Sequence, residues 1–115
     1  MVIEYIDDYL YNRCMDKIFK ALADKNRRKI LTLLKDREMS VNELLTSFEI
    51  RQATLSNHLS ILRKSGLVYF KVVGKQRIYR INYDLLDAFA ENMRRFVGRL
   101  DKSFMDDIAI RSKMV

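Results

Sequence analysis

The fold of this chain is decided by the stretch Arg51-Gln52-Ala53-Thr54-Leu55-Ser56-Asn57-His58-Leu59-Ser60-Ile61-Leu62-Arg63-Lys64-Ser65-Gly66-Leu67-Val68. Leu55, Leu59 and Leu62 recur at helical spacing, which predicts one amphipathic helix, the organising helix, with a narrow apolar stripe. Gly66 comes just past the last turn, where a left-handed cap residue costs least. The helix has no carboxylate, and most of its remaining surface carries the hydrogen-bonding or basic side chains of Gln52, Ser56, Asn57, Ser60, Arg63 and Lys64. Such a helix suits an anionic surface that offers donors and acceptors, and the major groove of DNA is one.

The positive charge of the chain is concentrated around this helix. The net charge is +7, and the interval from residue 50 to residue 83 contains no acidic residue. Its basic residues are Arg51, Arg63, Lys64, Lys71, Lys75, Arg77 and Arg80. A basic charge so confined is an electrostatic footprint, and binding of nucleic acid is its commonest cause. A merely solvated basic face is the alternative, although small soluble domains usually mix both signs.

The length and composition bound the class of protein. A chain of 115 residues favours a single domain, residues 1–104, followed by a tail at 105–115 that we expect to fray. No run approaches the roughly 18 apolar residues of a membrane span, and residues 1–8 lack the pattern of a signal peptide. The only cysteine is Cys14, so no intramolecular disulfide can form. We therefore expect a cytoplasmic protein without a cofactor.

The sequence predicts two helices that precede a helix-turn-helix. Residues 2–22 favour a first helix, and Asp24 can cap a second helix from Lys25 to about Lys35. A capping box follows, with serine at position 40 and glutamate at position 43, and it predicts a short helix that ends at Phe48. A tight turn then leads into the organising helix, and this pair predicts a helix-turn-helix.

A β-hairpin is predicted directly after the organising helix. Residues 67–73 and 76–81 are rich in β-branched and aromatic side chains, and Gly74-Lys75 supplies the turn. A basic hairpin in this place is typical of a wing, which can lie along the phosphates or enter the minor groove. The predicted fold class is therefore mainly α with a small β-hairpin (α+β), a winged helix-turn-helix.

A long last helix is predicted from about Tyr83 to Leu100 or further, capped by Asn82. The apolar surface of the first and last helices exceeds what one small core can bury, which favours a homodimer. The predicted dimer interface consists of Ile6, Leu10, Ile18, Leu86, Phe89, Met93, Phe96, Val97 and Leu100. Packing within a monomer is the alternative for these helices.

Four segments, taken together, resemble one known family. They are Phe19-Lys20-Ala21-Leu22-Ala23-Asp24-Lys25-Asn26-Arg27-Arg28-Lys29-Ile30-Leu31, Leu55-Ser56-Asn57-His58-Leu59 with Leu62, Gly66-Leu67-Val68, and Gly74-Lys75-Gln76-Arg77-Ile78-Tyr79-Arg80-Ile81. Over about residues 15–97 the chain resembles the ArsR family of winged-helix repressors. The resemblance implies a homodimer in which the first and last helices pair and two recognition helices enter successive major grooves. Lys25 departs from the pattern, since many relatives carry proline there.

The resemblance also implies where a metal would bind. The thiolate site of the family looks like a Cys-x-Cys, and those positions are Ser40 and Asn42 here. At the last-helix site only Asp84 matches. The other positions of that site are Leu86, Val97 and Leu100. One cysteine and one histidine cannot supply a first-row metal site, so we expect none, and the chain looks more like the metal-free SdpR-type autorepressor subgroup.

The sequence therefore predicts a dimeric, sequence-specific DNA-binding regulator, and the resemblance implies repression. The expected DNA contacts are Arg51, Gln52, Thr54, Ser56, Asn57, His58, Ser60, Arg63, Lys64, Lys71, Lys75, Gln76 and Arg77. Of these, the bases would be contacted by Gln52, Thr54, Ser56, Asn57 and His58. His58 could instead merely occupy the boundary between the apolar and polar faces of the helix, without contacting DNA. Cys14 is either a small hydrophobe or a thiol switch.

Two other functions are left open at this point. A winged helix can coat DNA without sequence preference as an architectural protein, or it can hold another protein. A module that binds only protein needs no acid-free basic interval, so the charge map counts against that version. The sequence has no phosphate-binding glycine loop, nucleophile elbow or carboxylate pair, so no enzyme is expected.

Overall fold

The structure, a computed structural model, describes the backbone of residues 14–114 and the side chains of residues 14–100. Its elements in chain order are α1 (residues 14–22), α2 (Lys25–Leu34), β1 (Met39–Ser40), α3 (Val41–Leu45), α4 (Gln52–Ser65), β2 (Val68–Val73), β3 (Gln76–Ile81) and α5 (Tyr83–Met114). The predicted order of helices, hairpin and last helix is confirmed. Residues 2–13 of the predicted first helix, with Ile6 and Leu10, lie outside the described residues.

The leucine stripe of α4 forms the centre of the core. Leu55, Leu59 and Leu62 are each 0% exposed, as the helical spacing predicts. They pack among apolar side chains of the neighbouring elements. The fully or almost fully buried partners include Ile18, Ile30, Leu44, Leu67 and Val68. Because one face of α4 is buried in this way, its polar face is turned to solvent.

The predicted caps of α2 and α3 are present. The Asp24 carboxylate accepts hydrogen bonds from the Asn26 and Arg27 backbone N–H groups at 2.7 and 3.2 Å. Ser40 Oγ accepts from the Glu43 N–H, and Glu43 Oε1 accepts from the Ser40 N–H, both at 3.2 Å. These two bonds close the capping box.

The predicted end of α3 at Phe48 is wrong by about one turn. The helix ends at Leu45, because the next N–H groups bond to carbonyls three residues back instead of four. Phe48 N–H, for example, donates to the Leu45 carbonyl at 3.1 Å. The chain tightens there into the turn that reaches α4.

The hairpin belongs to a three-stranded antiparallel sheet with the order β1-β3-β2. The two-residue strand β1, which the sequence pattern did not reveal, pairs Met39 with Tyr79 and Ser40 with Ile78. The register of β2 and β3 places Val73 opposite Gln76. Gly74 has φ 65°, and this positive φ at the first turn residue suits a two-residue hairpin turn.

The chain divides into two compact units between Leu85 and Leu86. The first contains the described winged helix-turn-helix elements, and the second is the remainder of α5. The helix continues to Met114, through the segment in which the sequence predicts fraying. A single domain over residues 1–104 stays a prediction. Within the described part of the chain, none of the helices combines the length and apolar character needed to cross a membrane.

Replacement of Gly66 by alanine is expected to lower the free energy of unfolding by about 1–2 kcal/mol, because the left-handed backbone strains an L side chain. Gly66 caps α4 at φ 88°, and an added Cβ would lie 2.8 Å from Leu85 Cδ2. Chemical denaturation measures the change. Gly98→Ala is the control, since its Cβ would meet open space within α5; it should stabilise by up to about 1 kcal/mol. Equal destabilisation by both substitutions would contradict this account.

Candidate nucleic-acid interface

The outward face of α4 carries most of the side chains that the sequence predicts to contact DNA. Exposed on or next to this helix are Arg51, Gln52, Thr54, Ser56, Asn57, Arg63 and Lys64. His58 and Ser60 are half-buried, nearer the edge that meets the protein. The exposed set has no acidic member, so nothing on this face repels a phosphate backbone.

The start of α4 leaves its first amide groups without a side-chain cap. Arg51 occupies the N-cap position, and its side chain makes no capping hydrogen bond. The unpaired N–H groups at a helix start, together with the helix dipole, favour a negative charge there. This end of α4 is therefore suited to a phosphate group, and Arg51 adds a positive charge to it.

A polar cavity, which we call the wing recess, brings the start of α4 next to the hairpin. It has a volume of about 240 Å³ and is lined by Ser40, Val41, Asn42, Gln52, Lys75, Gln76 and Arg77. Four of the predicted DNA contacts therefore meet at one place, although the hairpin residues lie more than twenty positions after Gln52 in the sequence. Two positive charges and several hydrogen-bonding groups line the recess, which matches the chemistry of a phosphate.

Phe70 positions two of the basic residues. The guanidinium carbon of Arg77 lies 4.6 Å from the centroid of the Phe70 ring, and that of Arg63 lies 5.9 Å from it. An arginine within about 6 Å of an aromatic face is held there by the ring quadrupole. Sequence reasoning missed this role of Phe70; the aromatic residue between basic positions was the only hint.

Lys71 differs from the other predicted contacts. Its ammonium group lies 3.0 Å from the Glu38 carboxylate, and both side chains are substantially exposed. An exposed ion pair of this kind contributes little to stability. The structure thus places Lys71 on a part of the hairpin whose charge is locally balanced, and its proposed contact with DNA would have to compete with Glu38.

His58 contacts a residue that the sequence analysis did not connect with the site. One terminal nitrogen of Arg27 lies 3.3 Å from His58 Nδ1. The same guanidinium donates to the carbonyls of Ala21 and Lys20 at 2.7 and 2.9 Å. Arg27 lies on α2, so this contact joins two side chains that are 31 residues apart in sequence. Sequence spacing contains no signal for such a contact.

The pKa of the Asp24 carboxyl beside this contact lies below its ordinary value of 3.8. Partial burial raises this pKa, but the hydrogen bonds from the Arg27 and Asn26 backbone outweigh that effect. Charge–charge interactions with His58 and Arg27 lower it further. The carboxylate therefore remains ionised beside the Arg27 guanidinium at neutral pH.

The predicted dimer set separates into two groups. Ile18 is 1% exposed within the single chain, so it belongs to the core and has almost no surface to offer a partner. Its prediction as an interface residue is wrong, because the face of α1 on which it lies packs inward. On α5, Leu86, Phe89 and Met93 are half-buried. Phe96, Val97 and Leu100 are exposed at 50%, 50% and 54%.

The positions that correspond to the family's metal ligands have other roles here. Ser40 caps α3 through its hydroxyl, and Asn42 is exposed beside the wing recess. Among the described residues, no three side chains of His, Cys, Asp or Glu cluster in a way that could hold a metal ion.

The fold and the site together define a winged helix-turn-helix protein that binds DNA. A polar helix and a basic hairpin point their acid-free surfaces outward, which is the arrangement of this class. Comparison with known proteins specifies the class. Residues 24–69 match the model of the bacterial regulatory proteins of the arsR family, and the chain belongs to that family. Its members are transcription regulators rather than enzymes.

Three similar proteins show how far the likeness extends. The transcriptional repressor SdpR of Bacillus subtilis is 32% identical over 87 residues, which are 76% of this chain and 97% of SdpR. The transcriptional activator HlyU of Vibrio cholerae is 36% identical over 68% of this chain and 72% of its own. The homodimeric winged helix-turn-helix domain of Mb0332 from Mycobacterium bovis has 28% identity and a TM-score of 0.66, and the match covers 84% of this chain and 90% of that domain.

Substitution of alanine for Lys75 or Arg77 should weaken binding to every DNA sequence alike, because a phosphate contact carries no base information. Each substitution should also reduce the slope of log K against log salt by about 0.9 per subunit. Titrations between about 50 and 200 mM salt measure this slope. Lys17→Ala, which removes the same charge from exposed α1 surface, is the control and should leave the slope unchanged. A wing variant that loses affinity for only one sequence would contradict the assignment.

Proposed function

We propose that this protein is a dimeric, sequence-specific transcriptional repressor that blocks a promoter by occupying it, without a metal-sensing site. The observation that carries the proposal is the exposed, acid-free polar face of α4 next to the basic wing recess. A face of this kind suits an anionic partner with hydrogen-bonding edges, and the major groove of duplex DNA supplies one. DNA of this kind is found in the bacterial cytoplasm, where we propose that the protein acts.

The two parts of the surface have different tasks in this proposal. The wing recess and the start of α4 contact phosphates, and Arg51, Lys75 and Arg77 supply most of the electrostatic affinity. Farther along α4, Ser56 and Asn57 lie on the exposed face and contact base edges. Amide and hydroxyl groups suit adenine and mixed contacts. Gln52 lies at the boundary, because it lines the recess and also begins the helix.

Dimerisation is supported by the exposed apolar side chains of α5. Phe96, Val97 and Leu100 together form an apolar row that a single described chain leaves open to solvent, and contiguous rows of this kind mark interaction surfaces. The similar winged helix-turn-helix domain from Mycobacterium bovis is homodimeric. Two copies related by a twofold axis would place two α4 helices about 34–36 Å apart, one turn of DNA.

The proposal of repression without metal sensing rests on two further points. The serine and asparagine at positions 40 and 42 offer poor ligands for a soft metal, and the serine hydroxyl is already engaged in a cap. Similar proteins include both a repressor and an activator by name. Occupancy of a promoter requires only DNA binding, and the surface of α4 and the wing supplies that, so we favour repression.

The test compares contacts to bases with contacts to phosphates. The probe is a duplex selected from a random pool by the purified wild-type protein, together with an unrelated duplex. Asn57→Ala and Gln52→Ala should cost about 1–3 kcal/mol on the selected duplex and little on the unrelated one, because only a base contact is lost. Thr46→Ala, at an exposed position at the end of α3, serves as the control. Equal losses on both duplexes would favour the architectural function instead.

Introduction of a charge into the apolar row of α5 tests the dimer. Val97→Glu should raise the dimer dissociation constant by roughly 100-fold or more, because an unpaired charge buried in an interface costs several kcal/mol. The variant should also bind the selected duplex more weakly, since two half-sites contribute together. Sedimentation velocity measures the assembly.

Ala88→Glu is the matched control for this substitution. Ala88 is also exposed on α5. It precedes Val97 by nine residues, about two and a half turns of helix, and therefore lies on the opposite side of α5. This variant should remain dimeric and bind DNA as the wild type does. Wild-type protein that sediments as a monomer at tens of micromolar would refute the proposed assembly.

A further inference from the structure

The Arg27 side chain of α2 makes contacts with both α1 and α4. Its Nε donates to the Ala21 carbonyl at 2.7 Å, and one terminal nitrogen donates to the Lys20 carbonyl at 2.9 Å. Both carbonyls belong to the last turn of α1, where carbonyl groups need partners from outside the helix. These two bonds fix the plane of the guanidinium. Its remaining terminal nitrogen is thereby aimed at α4, where it lies 3.3 Å from His58 Nδ1.

The chemistry of this contact specifies the form of the imidazole. A guanidinium has five N–H donors and no acceptor. The nitrogen that faces it must therefore carry a lone pair, so the proton of the neutral ring resides on Nε2. The ring is half-buried, and Nδ1 is the atom engaged by the protein. Nε2–H is then the group that His58 can offer to another molecule.

We infer that Arg27 is a specificity-determining positioning residue, which holds the His58 ring in the Nε2–H form so that α4 presents a donor to a base edge. This inference rests on the proposed function. An Nε2–H group is matched by the acceptors of the major groove, which are guanine N7 and O6, adenine N7 and thymine O4. A ring protonated on Nδ1 would present a lone pair instead and would favour the amino groups of adenine or cytosine.

The neighbouring arginine provides a matched control. Arg28 also donates to a carbonyl at the end of α1, that of Leu22, at 2.7 Å. Its side chain is exposed and makes no contact with His58 among the described residues. Arg28→Ala therefore removes a similar positive charge and a similar helix-end bond, but it leaves the imidazole contact intact. A difference between the two alanine variants isolates the contribution of that contact.

The first experiment observes the ring directly. His58 is the only histidine of the chain, so a ¹⁵N spectrum of labelled protein contains one imidazole. In the wild type we expect an unprotonated Nδ1, with its resonance displaced by the accepted hydrogen bond, and a protonated Nε2. Arg27→Ala should lose that displacement, and Arg28→Ala should keep it. A wild-type ring protonated on Nδ1, or an unchanged spectrum in Arg27→Ala, would overturn the inference.

The second experiment measures the preference for the selected duplex over the unrelated duplex. Arg27→Ala should reduce this preference by roughly 5- to 100-fold, the effect of one base contact, with little change on unrelated DNA. Arg27→Lys should show a similar loss while it keeps the charge, because an ammonium cannot span three partners in a fixed plane. This variant also serves if the alanine variant does not fold. A preference that survives both substitutions, or that falls equally in Arg28→Ala, would overturn the inference.

Substitutions of His58 distinguish its two nitrogens. In His58→Gln the side-chain amide reaches the position of Nε2, so part of the preference should remain. In His58→Asn the amide reaches only the position of Nδ1, so the preference should be lost although Arg27 keeps a partner. The opposite order would overturn the assignment of the donor.

The outcomes also separate this inference from the proposed function. Wild-type protein without any preference among duplexes would overturn the proposed function, and the contribution of His58 to base recognition with it. The ¹⁵N spectrum would still establish whether Arg27 sets the form of the ring. Wild-type preference that Arg27→Ala retains would overturn only the inference about Arg27.

Discussion

The burial of the α4 leucine stripe is the constraint on which the rest of the structure depends. Leu55, Leu59 and Leu62 lose all their exposure, and full burial of one such side chain is worth about 1.5–3 kcal/mol. Since a helix has one turn per 3.6 residues, fixing this stripe against the core also fixes which side chains face outward. The polar face of α4 is therefore a consequence of its apolar face, and the same packing orients the chain that continues into the wing.

The site gathers positive charge and controls its geometry through uncharged groups. Phe70 holds the guanidinium groups of Arg63 and Arg77 by their contacts with its ring, while backbone carbonyls hold that of Arg27. The Phe70 ring positions its two cations without neutralising them, so the charges of Arg63 and Arg77 remain available to phosphates. Lys71 shows the opposite case, because the Glu38 carboxylate beside it balances its charge. An exposed ion pair of this kind opens at little cost.

Apolar residues with the same helical periodicity differ in burial between the first and last helices. Ile18 and Val97 both occupy apolar rows that recur every three or four residues. Ile18 is covered by its own chain and stabilises the core, whereas half of the surface of Val97 stays exposed. Periodicity reports that a row is apolar, but it does not report what covers the row. Only the packed structure separates the core residue from the candidate interface residue.

The sequence by itself determined the features that depend only on neighbouring residues, such as helix caps and turns. The Asp24 cap, the capping box at Ser40, the left-handed Gly66 and the turn at Gly74 each depend on residues within a few positions, so their patterns predict them. The tertiary structure decided the contacts between distant positions. The pairing of β1 with β3, the wing recess and the approach of Arg27 to His58 all join residues more than twenty positions apart. Such contacts depend on how whole elements pack, and that packing is a property of the complete core and not of any local pattern.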